Sequence, residues 1–323
     1  MNTKLRQRFV KDYNLPINVF REDVFKYYMD LYDFFPKETY ENIQKVIVDK
    51  FNGNVELWLD FCAKFRDYAI ESVITSEKYI AFNNGDITKY TQNKLTCGER
   101  TYYTEETDGK MFLSIDLKKA NFQALKFVGV LDDENYDKFV DRFGGDEYLK
   151  GSKYLRQVIF GKMNPGRTIA VEKYIMFQIH GLVNSLTYTN VKDFLTLYSA
   201  NSDELVYLID NSKLEFSKEL VERCHSDLLG VETLIKNFYG VDVRCEIVKI
   251  KRLPIVNCNE NKVEAFVRQN VLTGEEKLKK ASTTFYPQIY KLWKGMELET
   301  RDLIFYDNDQ LATFLEPLRL IKE

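Results

Sequence analysis

Two adjacent acids, Asp203 and Glu204, stand directly before an apolar run, Leu205–Ile209. A short apolar run is typical of a buried strand, in which side chains alternate between the two faces of the sheet. The two carboxylates therefore point in different directions, and one of them faces whatever lies across the sheet. A second candidate strand, Met111–Asp116, ends in another acid. If the two strands are neighbours, three carboxylates gather at one edge, an arrangement that can hold two divalent cations for phosphoryl transfer.

The first part of the chain, residues 1–95, has the periodicity of helices. Apolar side chains recur at spacings of three and four residues, as in Tyr40, Ile43 and Ile47, and this spacing predicts helices with one buried face. Packing in a helical domain accounts for the many aromatic residues of this region. A surface that grips a duplex or a protein partner is the alternative interpretation.

After residue 95 the pattern changes. Turn signals and apolar runs predict the order β–β–α–α–α–α–β–β–α–β, with the first strand at residues 101–104. This order is typical of an α+β fold, here an antiparallel sheet with helices on one face. Pro254–Asn261 resembles a linker, and a hairpin that turns at Thr273 follows it in a small mixed α/β domain. The predicted domains are residues 1–95, 96–253 and 254–323.

The charge of the chain limits how it can hold a polyanion. The formal net charge is −3 and the pI is about 5.7, so no overall basic field attracts nucleic acid. Contact with a nucleic acid must therefore use a local basic patch. The two candidate patches are Lys249, Lys251 and Arg252 in one case and Lys277, Lys279 and Lys280 in the other.

Residue content argues against several classes of site. Five cysteines without a Cys-x-x-Cys pair are typical of reduced thiols and not of a disulfide framework. With two histidines, His180 and His225, a zinc site or a Ser–His–Asp triad has few ways to form. No apolar run is long enough to cross a bilayer, and the first residues lack the apolar segment of a signal peptide. We therefore expect a cytoplasmic protein without a membrane partner.

A basic helix around Gly151 carries groups that a nucleotide site needs. Lys153, Arg156 and Phe160 recur at spacings of three and four, and Lys162 follows them. Such a face offers positive charge to a triphosphate and a ring plane to a base or sugar. A solvated basic edge with a core phenylalanine is the alternative interpretation.

Three segments together resemble the motifs of family A DNA polymerases. The segment Ser114–Gln123 is similar to motif A, in which an Asp, here Asp116, ends a strand before a helix. The segment Arg156–Gly161 resembles motif B, and Ser202–Tyr207 resembles motif C. A long helix and a strand follow motif C, as in the palm of that family. The resemblance covers about residues 108–252 and implies a palm with reduced fingers.

The resemblance implies a metal site. Asp116 and Asp203 would bind two Mg²⁺ or Mn²⁺ ions, and Glu204 would be the third catalytic carboxylate beside them. Clustered carboxylates repel one another unless a cation neutralises them, so their crowding favours metal binding.

The resemblance also implies a nucleotide site. Arg156 would contact the phosphates of the incoming nucleotide, and Phe160 would stack near its sugar or base. Lys153 and Lys162 would add positive charge where negative charge develops in the transition state. Asn121 falls at the position that guards against ribose, where the family usually carries Glu.

The chain departs from the family pattern at several places. Ser202 stands where motif C normally has His, Asn164 stands where motif B normally has Tyr, and Pro165 interrupts the motif B helix. The segment between motifs B and C is short, so most of the fingers is missing, and residues 1–95 would take the place of a thumb.

The sequence therefore predicts a nucleotidyltransferase that extends a nucleic-acid 3′ end, DNA or RNA, with nucleoside triphosphates. A catalytically inactive palm, acting as a nucleic-acid-binding or scaffold subunit of a larger assembly, is the alternative, and a two-metal nuclease built on the same acids is the third. Other replication or transcription proteins are expected partners. Lysine- and asparagine-rich sequence is compatible with a viral or low-GC bacterial source.

Overall fold

The structure is a computed structural model, and it describes residues 2–17, 21–93, 95, 97–185, 195–210, 218–307 and 310–321, with the main chain only for residues 218–223, 306, 307, 310 and 311. The α-helices are α1 (Thr3–Asp12), α2 (Glu22–Leu31), α3 (Lys37–Phe51), α4 (Val55–Ile74), α5 (Glu77–Asn84), α6 (Thr88–Gln92), α7 (Ala120–Phe127), α8 (Tyr136–Arg142), α9 (Glu147–Gly151), α10 (Lys153–Gly161), α11 (Pro165–Ser185), α12 (Lys218–Tyr239) and α13 (Tyr286–Trp293). The strands are β1 (Met111–Leu117), β2 (Leu195–Ala200), β3 (Glu204–Ile209), β4 (Val243–Arg252), β5 (Ile255–Val256), β6 (Phe266–Asn270), β7 (Glu276–Lys279), β8 (Ile304–Asp307), β9 (Gln310–Thr313) and β10 (Arg319–Leu320).

The chain forms two compact units, and each of them uses two stretches of sequence. The first unit comprises Met1–Asp86 and Val128–Thr168, and the second comprises Ile87–Phe127 and Ile169–Glu323. This division differs from the predicted domains 1–95, 96–253 and 254–323. The packing within each unit gives the physical reason.

An aromatic core holds the first unit together. The ring of Phe9 in α1 lies 6.4 Å from that of Phe25 and 4.8 Å from that of Tyr40, measured between centroids. Trp58 in α4 packs edge-on against Tyr148 in α9 at 5.1 Å. All five rings are buried. Because Tyr148 comes from the second stretch of sequence, this core joins residues 128–168 to the N-terminal helices.

Helix α4 shows how local sequence builds this unit. Asn54 caps its first turn, since the Asn54 side-chain oxygen accepts hydrogen bonds from the backbone N–H groups of Glu56 and Leu57 at 3.0 and 3.2 Å. Trp58 and Phe65 lie on its buried face. The helical periodicity of the sequence thus corresponds to a helix with one face in the core.

The second unit is built on a six-stranded antiparallel sheet in the order β2-β3-β1-β4-β6-β7. Asp116 of β1 lies opposite Glu204 of β3 on one side and opposite Arg244 of β4 on the other. Directly opposed residues share a face of a sheet, so these three side chains belong to one face. The opposite face carries Leu113 and Ile115, which line a small apolar pocket together with residues of α12.

The α+β class and the antiparallel sheet predicted from the sequence are confirmed. Of the helices in the described ranges, none combines the length and the apolar character needed to cross a membrane.

The strand predicted at residues 101–104 is wrong. Thr104 begins a 3-10 turn over Glu105–Thr107, with the backbone N–H of Thr104 donating to the Thr107 hydroxyl at 3.1 Å. Tyr102 is buried, and its ring lies 5.4 Å from that of Phe112 on the sheet. Aromatic and β-branched residues favour strands, but here the tyrosine packs on the face of the sheet and does not extend it.

The C-terminal hairpin belongs to the main sheet. β6 pairs with β4, with Val267 opposite Lys251, and β7 pairs with β6. This pairing places the hairpin in the second unit, although the sequence predicted a separate domain for residues 254–323. The predicted linker contains β5, which pairs with β10.

Candidate active site

Three acids meet at one end of two adjacent strands. Asp116 lies near the end of β1 and Glu204 begins β3, directly opposite it. The backbone N–H of Leu117 donates to the carbonyl oxygen of Asp203 at 2.8 Å, which fixes Asp203 next to the same strand end. The antiparallel pairing of β1 and β3 therefore brings together Asp116, Asp203 and Glu204, as the pattern of the sequence predicts. Their chemical role stays a prediction.

A row of alternating charges crosses the sheet from Asp116. The Arg244 Nη2 atom lies 3.0 Å from Asp116 Oδ2, and Arg244 Nε lies 3.3 Å from Glu246 Oε2. Arg268 of β6 continues the row, with its Nη2 atom 2.7 Å from the same Glu246 oxygen. We call these four residues, Asp116, Arg244, Glu246 and Arg268, the charged row. Each acid in it has an arginine on a neighbouring strand.

The two acids of the charged row titrate differently. Burial raises the pKa of Asp116 to about 6; Arg244 opposes this rise, while the charges of Glu204, Asp203 and Glu246 add to it. Burial also opposes ionisation of Glu246, but the hydrogen bond and charge of Arg268, together with the charge of Arg244, lower its pKa below the usual range. Of the two acids in the charged row, Asp116 is therefore the one whose charge changes near neutral pH.

Glu204 is held by two hydroxyl groups. The Ser114 hydroxyl donates to Glu204 Oε1 at 2.6 Å, and the Tyr102 hydroxyl donates to the same oxygen at 3.2 Å. Ser114 and Tyr102 are both buried. Burial and the charge of Glu204 raise the pKa of Tyr102, which keeps its hydroxyl a donor. These contacts fix the orientation of the Glu204 carboxylate.

A buried acid that the sequence analysis missed, Glu172 of α11, belongs to the same neighbourhood. Its side chain is 2% exposed, and the Asn121 amide donates to Glu172 Oε1 at 2.7 Å. The pKa of Glu172 is raised to about 7, chiefly by burial and also by the charge of Asp203, while the hydrogen bond from Asn121 lowers it. The sequence does carry a signal for this acid. Glu172 stands at helical spacing from Ile175 and Ile179, which are buried on the same face of α11, and an acid on an apolar helix face is unusual.

Asn121 therefore has a local partner in α11. The resemblance placed Asn121 at the ribose-guarding position, and its amide binds Glu172 in this structure. A role in sugar selection stays a prediction.

A cleft of about 590 Å³ opens on the face that holds the charged row. Tyr102 and Tyr103 line it together with Asp116 and Glu204, and the remaining charged residues in its wall are mostly cations. These charged residues are Glu99, Arg100, Arg244, Arg268, Lys277 and Lys279. The cleft thus combines carboxylates with side chains that bind phosphate oxygens. Lys277 and Lys279 belong to a basic patch predicted from the sequence.

The residues of the predicted motif B helix lie in the first unit. Lys153 and Lys162 are exposed. The Arg156 guanidinium lies 5.7 Å from the centre of the Tyr136 ring, and burial lowers the pKa of Arg156. Phe160 is 1% exposed, and its ring packs against Tyr136 and a second core phenylalanine. Phe160 therefore serves the core and has no open ring face for a nucleotide in this conformation.

Pro165 does not interrupt a helix, because α10 ends at Gly161 and Pro165 is the first residue of α11. Proline suits this position, where its missing N–H has no helical partner. Residues 186–194 and 211–217 of the span compared with the polymerase palm lie outside the described residues.

The acids at the strand ends have suitable donor chemistry for Mg²⁺, which prefers carboxylate oxygens. In this structure Asp116 Oδ2 binds Arg244. Within the ranges that the structure covers, no group of three or more His, Cys, Asp or Glu side chains is arranged to hold a metal ion. A cation at Asp116 and Asp203 would therefore take the place of Arg244 and keep water or substrate oxygens as its other ligands, as Mg²⁺ commonly does.

No family model, curated protein or solved structure matches the chain. The chemistry of the site must therefore be inferred from its own geometry.

Proposed function

We propose that this chain is a reduced, polymerase-like nucleotidyltransferase that extends a nucleic-acid 3′ end with nucleoside triphosphates. The main support is the placement of Asp116 opposite Glu204, with Asp203 hydrogen-bonded beside them, at one end of adjacent antiparallel strands. The resemblance of the three surrounding segments to the motifs of family A DNA polymerases supports the same reaction class.

Asp116 and Asp203 would hold Mg²⁺ or Mn²⁺. Bound ions of this kind activate the attacking 3′-hydroxyl and neutralise the charge of the leaving pyrophosphate. With a pKa of about 6, Asp116 is mostly ionised at neutral pH, the state in which a carboxylate can bind a cation. Glu204, held in place by the hydroxyl groups of Ser114 and Tyr102, would lie beside Asp116 and Asp203 as the third carboxylate.

The cations in the cleft would bind the triphosphate. Arg244 now balances Asp116, and its guanidinium lies in the wall of the cleft with Arg268 and Lys277. A guanidinium binds two oxygens of a phosphate at once, and such charge-assisted hydrogen bonds are strong. We therefore assign phosphate binding first to these residues. Phosphate contacts by Lys153, Arg156 and Lys162 stay predictions.

A second candidate function is the inactive palm that binds nucleic acid or supports an assembly. It is favoured by the ion pair that occupies Asp116. It is also favoured by the finding that, within the described residues, no three or more His, Cys, Asp or Glu side chains are arranged to hold a metal ion. In that case the charged row stabilises the sheet and has no catalytic task.

Primer extension with Mg²⁺ or Mn²⁺ tests the proposal. The variants are Asp116→Asn and Asp203→Asn, which keep the side-chain size and remove the charge. The matched control is Asp49→Asn, an exposed helix residue of the first unit. We expect each site variant to lose at least about a hundredfold in rate, while the control stays at the wild-type rate.

Two results would contradict the proposal, the first for the assigned acids and the second for the reaction. If Asp116→Asn and Asp203→Asn extend primers like the wild type, the acids are not catalytic. If the wild type binds labelled primer–template but never extends it on DNA or RNA with either metal, the inactive palm is supported. Shortening of the labelled strand without added triphosphate would instead indicate a nuclease.

A further inference from the structure

A second basic groove lies at the other end of the sheet from the carboxylates. Its volume is about 860 Å³, and its walls include Lys249, Lys251, Arg252 and Lys262, together with the apolar residues Ile255 and Ile321. Asp116 pairs with Arg244 at the start of β4, whereas the groove cations of that strand lie at its end. The groove is therefore separate from the cleft of the candidate active site.

The two lysines of β4 are on the opposite face from the charged row. Lys249 and Lys251 alternate along the strand with Val248 and Ile250, which share the parity of Arg244, and both lysines are exposed. Two residues along a strand span about 6.8 Å. This separation is comparable to that of successive phosphates in an extended single strand.

The groove cations differ in how they are neutralised. Arg252 and Lys262 both bind Glu105, at 2.8 and 2.7 Å. Within the described residues, no hydrogen bond or ion pair reaches the ammonium groups of Lys249 and Lys251. Among the described residues that line the groove, the acid is Asp108, which accepts a hydrogen bond from the backbone N–H of Arg252 at 2.7 Å. Positive charge is therefore left available in the groove of a chain whose net charge is −3.

We infer that this groove binds the sugar–phosphate backbone of a single-stranded nucleic acid, with Lys249 and Lys251 on successive phosphates. Exposed lysines bind phosphates as point charges, without base specificity. The groove wall also includes the exposed apolar side chain of Ile321, which can contact a sugar or a base. The inference takes from the proposed function only that the partner is a nucleic acid, and it does not depend on catalysis by Asp116 and Asp203.

The test is binding of labelled oligodeoxythymidine and oligouridine of about 16 nucleotides, the upper range for single-strand-binding folds, to the full chain, measured by fluorescence anisotropy. The variant Lys249→Gln/Lys251→Gln removes both charges. The matched control Lys45→Gln/Lys50→Gln removes two exposed lysines of the first unit and gives the same net charge. The variant Lys249→Arg/Lys251→Arg keeps the charge.

Salt dependence provides the quantitative readout. Each lost phosphate contact on a single strand lowers the slope of log affinity against log salt by about 0.7, so the double Gln variant should lose about 1.4 in slope and more than about tenfold in affinity near 0.1 M salt. The control and the Arg variant should bind like the wild type. Equal slopes for the two Gln variants, with both folded by circular dichroism, would overturn the inference.

Competition separates nucleic acid from an acidic protein partner. Poly-glutamate of matched charge should displace the oligonucleotide only weakly, because it lacks the regular phosphate spacing. Equal displacement would overturn the inference in favour of an acidic peptide. Oligonucleotide binding by the Lys249 and Lys251 variants and primer extension by the Asp116 and Asp203 variants are separate measurements on separate sites. Failure of the groove and failure of the proposed catalysis can therefore be told apart.

Discussion

Arg244 reaches across from β4 and places its Nη2 atom 3.0 Å from Oδ2 of Asp116 on β1. This ion pair favours the ionised form of the acid that the resemblance to motif A predicts to be catalytic. It is also the contact that a bound cation would have to replace. The nearest test of the site is therefore the titration of Asp116 itself.

Replacement of Arg244 should raise the pKa of Asp116. Burial already raises that pKa to about 6, and Arg244 is the charge that opposes the rise. In Arg244→Gln the carboxyl group keeps its acidic neighbours Asp203, Glu204 and Glu246 and loses its cation, so its pKa should exceed 6. Carbon-13 NMR titration of the Asp carboxyl groups measures this, with Arg319→Gln as the control. An unchanged pKa would show that Arg244 does not govern the charge of Asp116.

Glu172 should make the stability of the protein fall as pH rises. Its pKa is about 7 in the folded chain and 4.5 for the unperturbed group, so the folded state holds the proton more tightly between these values. Stability is then lost as pH rises from about 4.5 through about 7. The variant Glu172→Gln cannot ionise and should exceed the wild type by about 3 kcal/mol at pH 8 and match it near pH 4.

Urea unfolding at the two pH values measures this difference. Glu297→Gln, an exposed carboxylate, is the control and should follow the wild type at both. An equal gain of Glu172→Gln at pH 4 and pH 8 would mean that packing, and not ionisation, separates the two proteins.

Phe160 should behave as a core residue and not as a nucleotide contact. Its ring is buried against Tyr136 and Phe139. Phe160→Ala should cost about 3–5 kcal/mol of stability, whereas Phe160→Leu should cost less than about 1.5 kcal/mol. If extension activity is found, Phe160→Leu should leave the KM for triphosphate unchanged. A raised KM in a stable Leu variant would restore the stacking role.

Arg268 should stabilise the sheet through Glu246. Both side chains are mostly buried, and the two atoms in contact lie 2.7 Å apart. Arg268→Met removes the main cation beside a buried carboxylate and should cost about 3–5 kcal/mol. The double variant Arg268→Met/Glu246→Met should recover most of that loss, because no unpaired charge remains. Chemical unfolding of Arg268→Met, Glu246→Met and the double variant measures the free energies of this cycle. If the losses of the two single variants simply add in the double variant, the two side chains do not stabilise each other.

Alternation along a strand is a local property, so the sequence could place Asp116 at the end of one strand and Asp203 and Glu204 at the start of another. Their meeting also required the assumption that these two strands are neighbours, and the pairing of β1 with β3 meets it. The sequence also predicted the turn between β6 and β7. It did not predict that β6 pairs with β4, since the choice of a strand partner depends on contacts far apart in the chain.

Other differences have equally specific causes. Tyr102 and Tyr103 have strand-like residue types, but the Thr104 and Thr107 capping contacts turn the chain after them. Tyr148 joins the N-terminal aromatic core, a long-range contact that periodicity cannot reveal. Glu172 gave a weak signal, because one acid in an apolar helix is also found on partly exposed faces.

The six-stranded sheet ends at β7, a strand of four residues with the sequence Glu-Lys-Leu-Lys. A short edge strand offers few backbone groups for pairing, and its lysines repel the lysines on the edge strand of another copy. The β7 edge of the sheet is therefore protected against pairing with another copy of the chain. Replacement of Lys277 and Lys279 by threonine would remove that protection and make the protein more prone to aggregate.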